Sequence, residues 1–559
     1  MYIRIKTTPN SPRKSVQIVE SVRKGSHVSQ KIVRHVGIAM DDEEMAQLKQ
    51  LAESIKQKLE EEIQNRGLLF PPETLAKMGA ESKENEKKQR EITEEDYRVN
   101  IQDLTEEDRV VSGIHDIYGK LFDEIGYDKV LHNSARNKRS AQYLKDIILA
   151  RIANPKSKRG SVTMLEEDFG VSLNLDGVYR MLDKIDDKAI ERLNQITFEA
   201  TKRLYPEPID VIFFDCTTLY FEAFEADELR EHGYSKDMKF NEVQVLLALM
   251  VTKEGLPIGY EAFSGSTYEG HTLIPAIKKL KEKYQIKQVV FVADSGMMNT
   301  PNLQEMQNEG IEYIVGARLK NRPKSLQDQV LNQSNYVDIR PGYKIGKFTH
   351  NGQTFIVSHC EKRARKDRKD RERAIEKLRL KVLQCKTPKD YLSNQGYKKY
   401  LKIDAETAVT LNEDKIALAQ QWDGLLGVCT NTTTLSSQEI LEKYVGLWQV
   451  EDAFRINKHD LKIRPAFHWK PNRIKAHLAI SFAAFSLVKF LTYRVKLQHK
   501  KLSPEVIRQT LIRVQTSILF DATKKIRYAL PSKVSLDAKK IYALMRVSRS
   551  QTPSIIQKL

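Results

Sequence analysis

Two short apolar runs that each end in an aspartate constrain this chain more than any other feature. Residues 211–214 read VIFF and precede Asp215, and residues 289–293 read VVFVA and precede Asp294. Such runs predict buried strands. An ionised carboxylate beside a buried strand is costly unless it is paired or bound to a metal. A single aspartate here could equally cap a turn, but two on neighbouring predicted strands favour a shared cation.

The pattern around these runs predicts an α/β fold with a mixed sheet. A helix is predicted over 274–284, between the third and fourth of five strands. The strands are predicted over 211–214, 243–251, 257–263, 288–293 and 313–317. Three successive strands followed by helix, strand and strand are typical of a mixed sheet in an α/β layer.

Two neighbouring aspartates need a counter-charge, and Mg²⁺ or Mn²⁺ with oxygen ligands is the natural one. Phosphodiester chemistry uses two such ions about 4 Å apart, and such a site needs a third acid. The segment 441–465 offers Tyr444, Glu451 and Lys458 at intervals of seven residues. Seven residues advance a helix by about 700°, so a continuous helix would place all three on one face, with Asp452 about 100° away. The alternative is an ordinary charged face with a tyrosine at its edge.

Charge favours a polyanionic partner. The chain has 92 Lys and Arg against 74 Asp and Glu, a net charge of +18, and nucleic acid is the commonest polyanion. A predicted helix over 361–381 is the most basic segment, and its apolar residues lie mainly near its C-terminal end. We therefore predict that this end packs and that the first part projects as a phosphate clamp. The clamp residues are Arg365, Lys366, Arg368 and Lys369. A solvated helix that only keeps the protein soluble is the alternative.

The remaining patterns divide the chain into regions. Residues 163–183 have the layout of a helix-turn-helix, with an ordinary helix pair as the alternative. The predicted regions are a β-rich and helical N-terminal region at 1–70, a charged linker at 71–110, a helical DNA-binding region at 111–205, the first part of a catalytic core at 206–317, a β-rich insertion domain at 318–425, the second part of the core at 426–498 and a helical C-terminal region at 499–559.

Cysteine spacing and apolar content indicate the cellular compartment and whether the chain associates with a membrane. The four cysteines form no CxxC pair, which argues against a zinc site or a disulfide framework and favours a reducing cytoplasm. No run of eighteen or more apolar residues is present, so no membrane association is expected. Trp422 and Trp448 are interpreted as core residues, with stacking on an unpaired base as the alternative.

Several motifs together resemble those of the insertion-sequence DDE transposases, whose core looks like ribonuclease H and retroviral integrase. The resemblance runs through FFDCTTLYFEA, GLPIGYEAFSGSTYEGHTL, VVFVADSGMMNTPNL and YVGLWQVEDAFRINKHDLKIRPAFHW, over roughly residues 205–490. It implies that Asp215, Asp294 and Glu451 are the catalytic acids and ligands of two Mg²⁺ or Mn²⁺ ions. It also implies that the gap of 157 positions between Asp294 and Glu451 holds the β-rich insertion domain.

In the subgroup with such an insertion, the last acid lies in a Tyr, Arg, Glu, Lys signature on one helix. Tyr444, Glu451 and Lys458 fit, but Leu447 occupies the arginine position. The resemblance implies that Tyr444 and Lys458 hold a transposon-end phosphate. Arg455, one turn after Glu451, is a candidate substitute for the missing arginine.

The resemblance implies a prokaryotic, cytoplasmic, DNA-associated enzyme. Such an enzyme binds the terminal inverted repeats of its element, cleaves double-stranded DNA at each end and joins the ends to target DNA. A homodimer on DNA is expected, because two ends must be cut in concert. A metal-dependent nuclease of the same fold and a non-catalytic DNA-binding regulator remain as alternatives.

Overall fold

The computed structural model describes all of the chain except residues 1, 8–13, 25–26, 40, 66–93, 134, 206, 222–224, 234–241, 269–270, 273, 279–288, 298–299, 385–398, 404–408, 465–467, 500–501 and 557–559. Most of the predicted charged linker lies outside the described residues. The chain divides into two compact units, Met1–Val99 and Asn100–Leu559.

The first unit is a three-stranded antiparallel sheet with one helix. Strands β1 (Tyr2–Thr7), β2 (Lys14–Lys24) and β3 (His27–Ala39) pair in that order, and α1 (Asp42–Asn65) follows. Its small core is formed by Val16 and Ala39 of the sheet and Met45 and Ala52 of the helix. Strands and a helix are thus the described elements of this first unit.

The second unit begins with a strand and a group of helices. These are β4 (Leu104–Val111), α2 (Lys120–Ile125), α3 (Lys138–Ala153), α4 (Lys158–Phe169), α5 (Leu175–Leu182) and α6 (Asp187–Leu204). Gly170 ends α4 in the left-handed conformation, at φ +64°, which glycine adopts without a steric penalty. Asn174 then caps α5 by accepting hydrogen bonds from the backbone N–H groups of Asp176 and Gly177. The two predicted helices and the turn between them are present.

A nine-stranded mixed sheet forms the centre of this unit, in the order β10-β11-β12-β15-β9-β8-β5-β6-β7. Its strands are β5 (Val211–Tyr220), β6 (Gln244–Thr252), β7 (Pro257–Ser264), β8 (Val290–Ala293), β9 (Glu312–Gly316), β10 (Val337–Arg340), β11 (Tyr343–His350), β12 (Gln353–Cys360) and β15 (Leu425–Thr430). The helices that intervene are α7 (Thr300–Asn308), α8 (Lys324–Leu331), α9 (Glu361–Gln384) and α10 (Glu413–Gln420), and a separate pair of strands is formed by β13 (Leu401–Ile403) and β14 (Val409–Leu411). The predicted mixed α/β fold is confirmed.

The prediction of a separate β-rich insertion domain over 318–425 is wrong in one respect. Strands β10, β11 and β12 continue the core sheet, because β15 lies between β12 and β9 and pairs with both. A strand edge can be extended by any segment that offers matching backbone groups, however distant in sequence. Among the described residues of this segment, β13 and β14 form a separate strand pair beside α9 and α10, with a small core of Leu378, Tyr400, Leu401 and Ile416.

The C-terminal part folds back onto the beginning of the second unit. Helices α11 (Ser437–Val445), α12 (Trp448–Arg455), α13 (Pro471–Gln498), α14 (Pro504–Ile512) and α15 (Leu536–Leu544) follow the sheet. Strands β16 (Gln515–Asp521), β17 (Ile526–Pro531) and β18 (Ser554–Ile556) join β4 in a four-stranded antiparallel sheet, ordered β18-β17-β16-β4. Residues 499–559 are therefore not purely helical, and the predicted linker contains most of strand β4. The strand was missed because LTEEDRVV has little apolar alternation.

Both faces of the nine-stranded sheet are covered. Phe213 and Val292 belong to one core with α12 and α13, whereas Phe214 and Ala293 belong to a second core with α7 and α8. Alternate residues of a strand point to opposite faces. Helix α13 is long and apolar enough to cross a membrane by length and composition, but 94% of its most apolar window is buried inside the protein. It is the central helix of the first core.

Candidate active site

Asp215 and Asp294 lie side by side on two parallel strands. Phe214 of β5 is in register with Ala293 of β8, and each aspartate is the next residue. Adjacent strands are separated by about 4.8 Å. Both aspartates follow residues that face the second core, so both belong to the face of Phe213 and Val292. The sheet thus brings together the two acids that the sequence pattern selected.

Gly316 lies beside Asp294 on a third parallel strand. Val315 of β9 is in register with Ala293, so Gly316 is level with Asp294. A Cβ atom at Gly316 would overlap the Tyr444 hydroxyl and would lie 3.0 Å from the backbone nitrogen of Ser295. The tyrosine of α11 therefore occupies the space that a side chain at Gly316 would fill. No sequence signal singled out Gly316 as a site residue.

The Tyr444 hydroxyl is influenced by the charges of all three candidate acids. Burial, together with the negative charges of Asp294, Glu451 and Asp215, raises the pKa of Tyr444 to about 12, while Arg363 opposes the rise. All three predicted acids are therefore within electrostatic reach of one hydroxyl group. The hydroxyl stays protonated at neutral pH and can donate a hydrogen bond.

The helix that carries Glu451 is not continuous. Helix α11 ends at Val445, α12 begins at Trp448, and a π-helical turn covers Ile456–Asp460. The N–H groups of Leu447, Gln449 and Val450 each donate to the carbonyl three residues earlier, at 3.0–3.1 Å. Such bonds wind the chain at 3.0 residues per turn, whereas a π turn winds it more loosely. The uniform spacing on which the predicted single face depended is therefore wrong, and packing places these residues instead.

A close contact seats this broken helix on the aspartate face. A Cβ at Gly446 would lie 2.6 Å from Cζ of Phe213, which is two residues before Asp215 on the same face of β5. Leu447, Val450 and Phe454 are buried in the same core. Leu447 occupies the position of the signature arginine and has become a packing residue, so this position supplies no phosphate contact.

Neighbouring acids on α12 differ in their partners. Within the part of the chain that the structure describes, the exposed carboxylates of Asp294 and Glu451 form no ion pair with Lys, Arg or His. Asp452 instead pairs with Arg455 at 2.8 Å and lies 3.7 Å from Nζ of the buried Lys489. The Asp452 carboxylate is therefore held by protein cations, whereas Glu451 is exposed at the surface.

The site residues fit a divalent cation by their chemistry. Three carboxylates supply the oxygen donors that Mg²⁺ and Mn²⁺ prefer, and two of the three lack a protein cation. Among the described residues, no three His, Cys, Asp or Glu side chains already converge closely enough to hold a metal ion. The three candidate acids are therefore not close enough together in this structure to share one metal ion.

Lys458 and Arg455 occupy different surroundings. Lys458 is partly exposed in the π turn. Arg455 is half exposed, and its guanidinium pairs with Asp452 at 2.8 Å and lies 3.7 Å from Asp460. A phosphate contact by Arg455 therefore requires exchange of these acidic partners.

The basic helix α9 begins at the carboxyl end of its strand, on the same side of the sheet as the carboxyl end of β8 that precedes Asp294. Strand β12 is parallel to β8 and β9, since β15 is antiparallel to both β12 and β9. Helix α9 starts immediately after β12, three strand spacings or about 14 Å from β8. The four clamp residues Arg365, Lys366, Arg368 and Lys369 are all exposed.

The first half of α9 does not project freely, as the sequence had suggested. Buried Arg371 donates to Asp423 at 2.5 and 2.7 Å, and Asp367 accepts from the backbone N–H of Gly424 at 3.0 Å. Polar side chains at helical spacing hold this half in place, which a search for apolar anchors cannot detect. Arg363 on the same half reaches the surroundings of Tyr444. Sequence reasoning did not select Arg363.

The two tryptophans differ. Trp422 packs against the second core, with the ammonium of Lys320 5.9 Å from its ring centroid. Trp448 is 50% exposed, one turn before Glu451. The core interpretation is confirmed for Trp422 and wrong for Trp448.

Comparison with known proteins assigns the class. The family described as "Transposase DDE domain" matches residues 206–487, half of the chain, so this chain belongs to the DDE transposases of insertion sequences. The family described as "IS1634 family transposase, N-terminal domain" matches residues 3–66, the first unit of the fold. No curated protein matches the chain.

Two solved structures are similar in part. A piggyBac transposase synaptic complex with hairpin DNA has a TM-score of 0.36 and 10% identity, covering 72% of this chain and 76% of that one. A Mos1 transposase paired-end complex with the left transposon end has a TM-score of 0.14 and 14% identity, covering 31% of this chain and 57% of that one.

Proposed function

We propose that this transposase binds the terminal inverted repeats of its element, cleaves the DNA ends and joins them to target DNA at a site formed by Asp215, Asp294 and Glu451. The observation that carries the proposal is the in-register aspartate pair, with Glu451 on the helix that packs over the same sheet face and with the charges of all three acids acting on the Tyr444 hydroxyl. The arrangement of strands β5 to β9 supports the ribonuclease H-like core that the sequence motifs imply.

The three carboxylates would hold two Mg²⁺ or Mn²⁺ ions. When bound, such ions activate the attacking oxygen and stabilise the leaving oxygen of a phosphodiester. The protein itself holds Asp215 and Asp294 at a fixed spacing on two adjacent central strands of the sheet. Glu451, on a helix interrupted at Gly446–Leu447, is the acid whose position can adjust when DNA arrives.

Phosphate positioning falls to residues around the acids. The protonated Tyr444 hydroxyl can donate a hydrogen bond to a phosphate oxygen, and Lys458 and Arg455 supply positive charge on the following turns. Helix α9, which begins at the same end of the parallel strands as Asp294, extends this positive surface through Arg365, Lys366, Arg368 and Lys369. Phosphate contacts of this kind position DNA without specifying its sequence.

Recognition of the ends is assigned to the N-terminal unit and to α4 and α5. We place the enzyme in the cytoplasm on DNA. Three of the four cysteines, Cys216, Cys360 and Cys429, are free thiols, which fits a reducing compartment. A homodimer, one protomer for each end, follows from the need to cut two ends together.

A strand-transfer assay with end-labelled repeat DNA and a supercoiled target tests the proposal. Joined products that require Mg²⁺ or Mn²⁺ and the three acids would support it. Cleaved ends that never join would identify a nuclease of the same fold. Repeat binding without any cleavage would identify a regulator.

A further inference from the structure

A strongly basic cavity lies in the second unit, outside the acid triad. Its volume is about 360 Å³, and it is enclosed by the end of α3, the start of α4 and the segment that follows the π turn. Six cations line it: Arg151, Lys156, Lys158, Arg159, Lys462 and Arg464. No aspartate or glutamate is among the described residues of its wall.

Two of these cations are buried. Arg151 is 4% exposed and Lys158 is 5% exposed. Arg151 donates to the carbonyls of Leu461 and Lys462 at 2.9 and 3.2 Å, but its Nε–H has no partner. The Lys158 ammonium has no hydrogen-bond or ion-pair partner in the described part of the chain. Buried charges without partners are strongly unfavourable, so an anion bound in this cavity would be stabilising.

Two histidines complete the wall without adding charge. His477 lies 3.4 Å from Nη2 of Arg151 through Nδ1 and 2.9 Å from the Ile463 carbonyl through Nε2. A guanidinium only donates and a carbonyl only accepts, so His477 is neutral with its proton on Nε2. Burial and the nearby cations lower the pKa of His468 to about 4. Both histidines are therefore neutral at pH 7.

The start of α4 adds to the positive potential. Ser157 caps this twelve-residue helix, and its first turn contains Lys158 and Arg159 and no acidic residue. The N-terminal end of a helix carries a partial positive charge and normally favours acidic residues. Placing cations there is unfavourable unless an anion is bound, and phosphate groups bind at such helix ends.

We infer that this cavity is a binding site for one phosphate group of the DNA backbone. The inference rests on the proposed function for the identity of the DNA. The Arg464 guanidinium lies 4.5 Å from the ring centroid of Tyr220, at the end of the strand that carries Asp215. Five residues of strand separate Tyr220 from Asp215, about 16 Å. Arg464, on the wall of the cavity, is therefore close enough to Asp215 for one DNA molecule to reach both.

The variant Lys158→Met of the full-length protein tests the site, with Lys540→Met, an exposed lysine on α15, as the charge-matched control. In the absence of DNA, Lys158→Met should keep or raise the melting temperature, because it removes a buried cation without a partner. Inorganic phosphate should raise the melting temperature of the wild type and of Lys540→Met relative to chloride at equal ionic strength. It should not raise that of Lys158→Met.

Measurements of DNA binding distinguish a phosphate of the DNA backbone from free phosphate or a nucleotide as the ligand. Fluorescence anisotropy with repeat DNA across salt concentrations should show a salt slope smaller by about 0.9 in Lys158→Met and weaker binding at low salt. Loss of the phosphate response with unchanged DNA binding would assign the cavity to free phosphate or a nucleotide and overturn the inference. A wild type that does not respond to phosphate, with a lower melting temperature for Lys158→Met, would also overturn it.

The exposed rim variant Arg159→Ala provides the same two measurements if Lys158→Met does not fold. An unchanged salt slope and an unchanged phosphate response in Arg159→Ala would then count against the site. Failure of the proposed function is distinguishable, because a wild type that neither cuts nor joins DNA still reports on phosphate by melting temperature.

Discussion

Asp215 and Asp294 each follow the register pair Phe214–Ala293, so two parallel strands deliver two carboxylates to neighbouring positions on one face of the sheet. Replacing either with Asn should leave folding and end binding largely intact. It should reduce cleavage about 10³-fold or more, because metal stabilisation of several kcal/mol is lost. Cleavage of labelled end DNA in Mg²⁺ measures this. Normal cutting by either variant would refute the site.

Substitutions at Glu451 and Asp452 should have different effects, one on DNA cleavage and the other on the free energy of unfolding. Glu451→Gln should be as damaging to cleavage as the aspartate changes, with little effect on unfolding. Asp452→Asn should retain most cleavage but lower the free energy of unfolding by about 1–3 kcal/mol, because buried Lys489 loses its charged partner. Urea unfolding and cleavage rates of both variants decide. Equal loss of cleavage from both would exclude the assignment of Glu451.

Gly316→Ala should displace Tyr444 from the acid triad. Since a Cβ there would overlap the hydroxyl, the tyrosine or the strand must shift, and a shift of about 1 Å can lower activity about 100-fold. Gly259→Ala in β7 is the matched control, because its added Cβ would meet neighbours at 3.5 Å or more. Cleavage rates under single-turnover conditions compare the two. Full activity of Gly316→Ala would show that the position of Tyr444 is unimportant.

The clamp on α9 should act through charge. Changing Arg365, Lys366, Arg368 and Lys369 together to Ala should lower the salt slope of DNA binding by up to about 3.6, at about 0.9 per phosphate contact. Sequence preference should barely change. Arg371→Met on the same helix should lower stability instead, because Arg371 is buried against Asp423. An unchanged slope in the quadruple variant would leave α9 as a solvated surface helix.

Acid should destabilise the second unit through His468 and His477, whose pKa values are lowered by burial. In the unfolded chain, a histidine takes up its proton near pH 6.5. Stability should therefore be full above pH 6.5 and fall as the pH drops toward about 4, the pKa of His468. Each group contributes at most about 1.4 kcal/mol per pH unit.

Urea unfolding at several pH values in phosphate-free buffer measures the slope. His468→Gln should flatten the pH dependence, and exposed His132→Gln should not. An equal slope in wild type and His468→Gln would contradict the assignment.

The local pattern alone predicted the central strands, selected the candidate acids and indicated the family. VIFF before Asp215 and VVFVA before Asp294 predicted buried strands, because apolar content and burial are coupled through the hydrophobic effect. The strand at Asp294 ends at Ala293, whereas the strand at Asp215 continues to Tyr220. The helices of α4 and α5 and the three-stranded N-terminal sheet were likewise predictable from short-range patterns.

Only the tertiary structure decided which distant residues lie next to one another. The register that aligns Asp215, Asp294 and Gly316 depends on strand order, and the extension of the sheet by β10 to β12 depends on β15, which lies more than a hundred residues after β9. The break at Gly446–Leu447 and the buried cations Arg151 and Lys158 arise from packing between distant segments. Hydrogen bonds and charge contacts across such distances carry no periodic signal in the sequence, so only the folded chain reveals them.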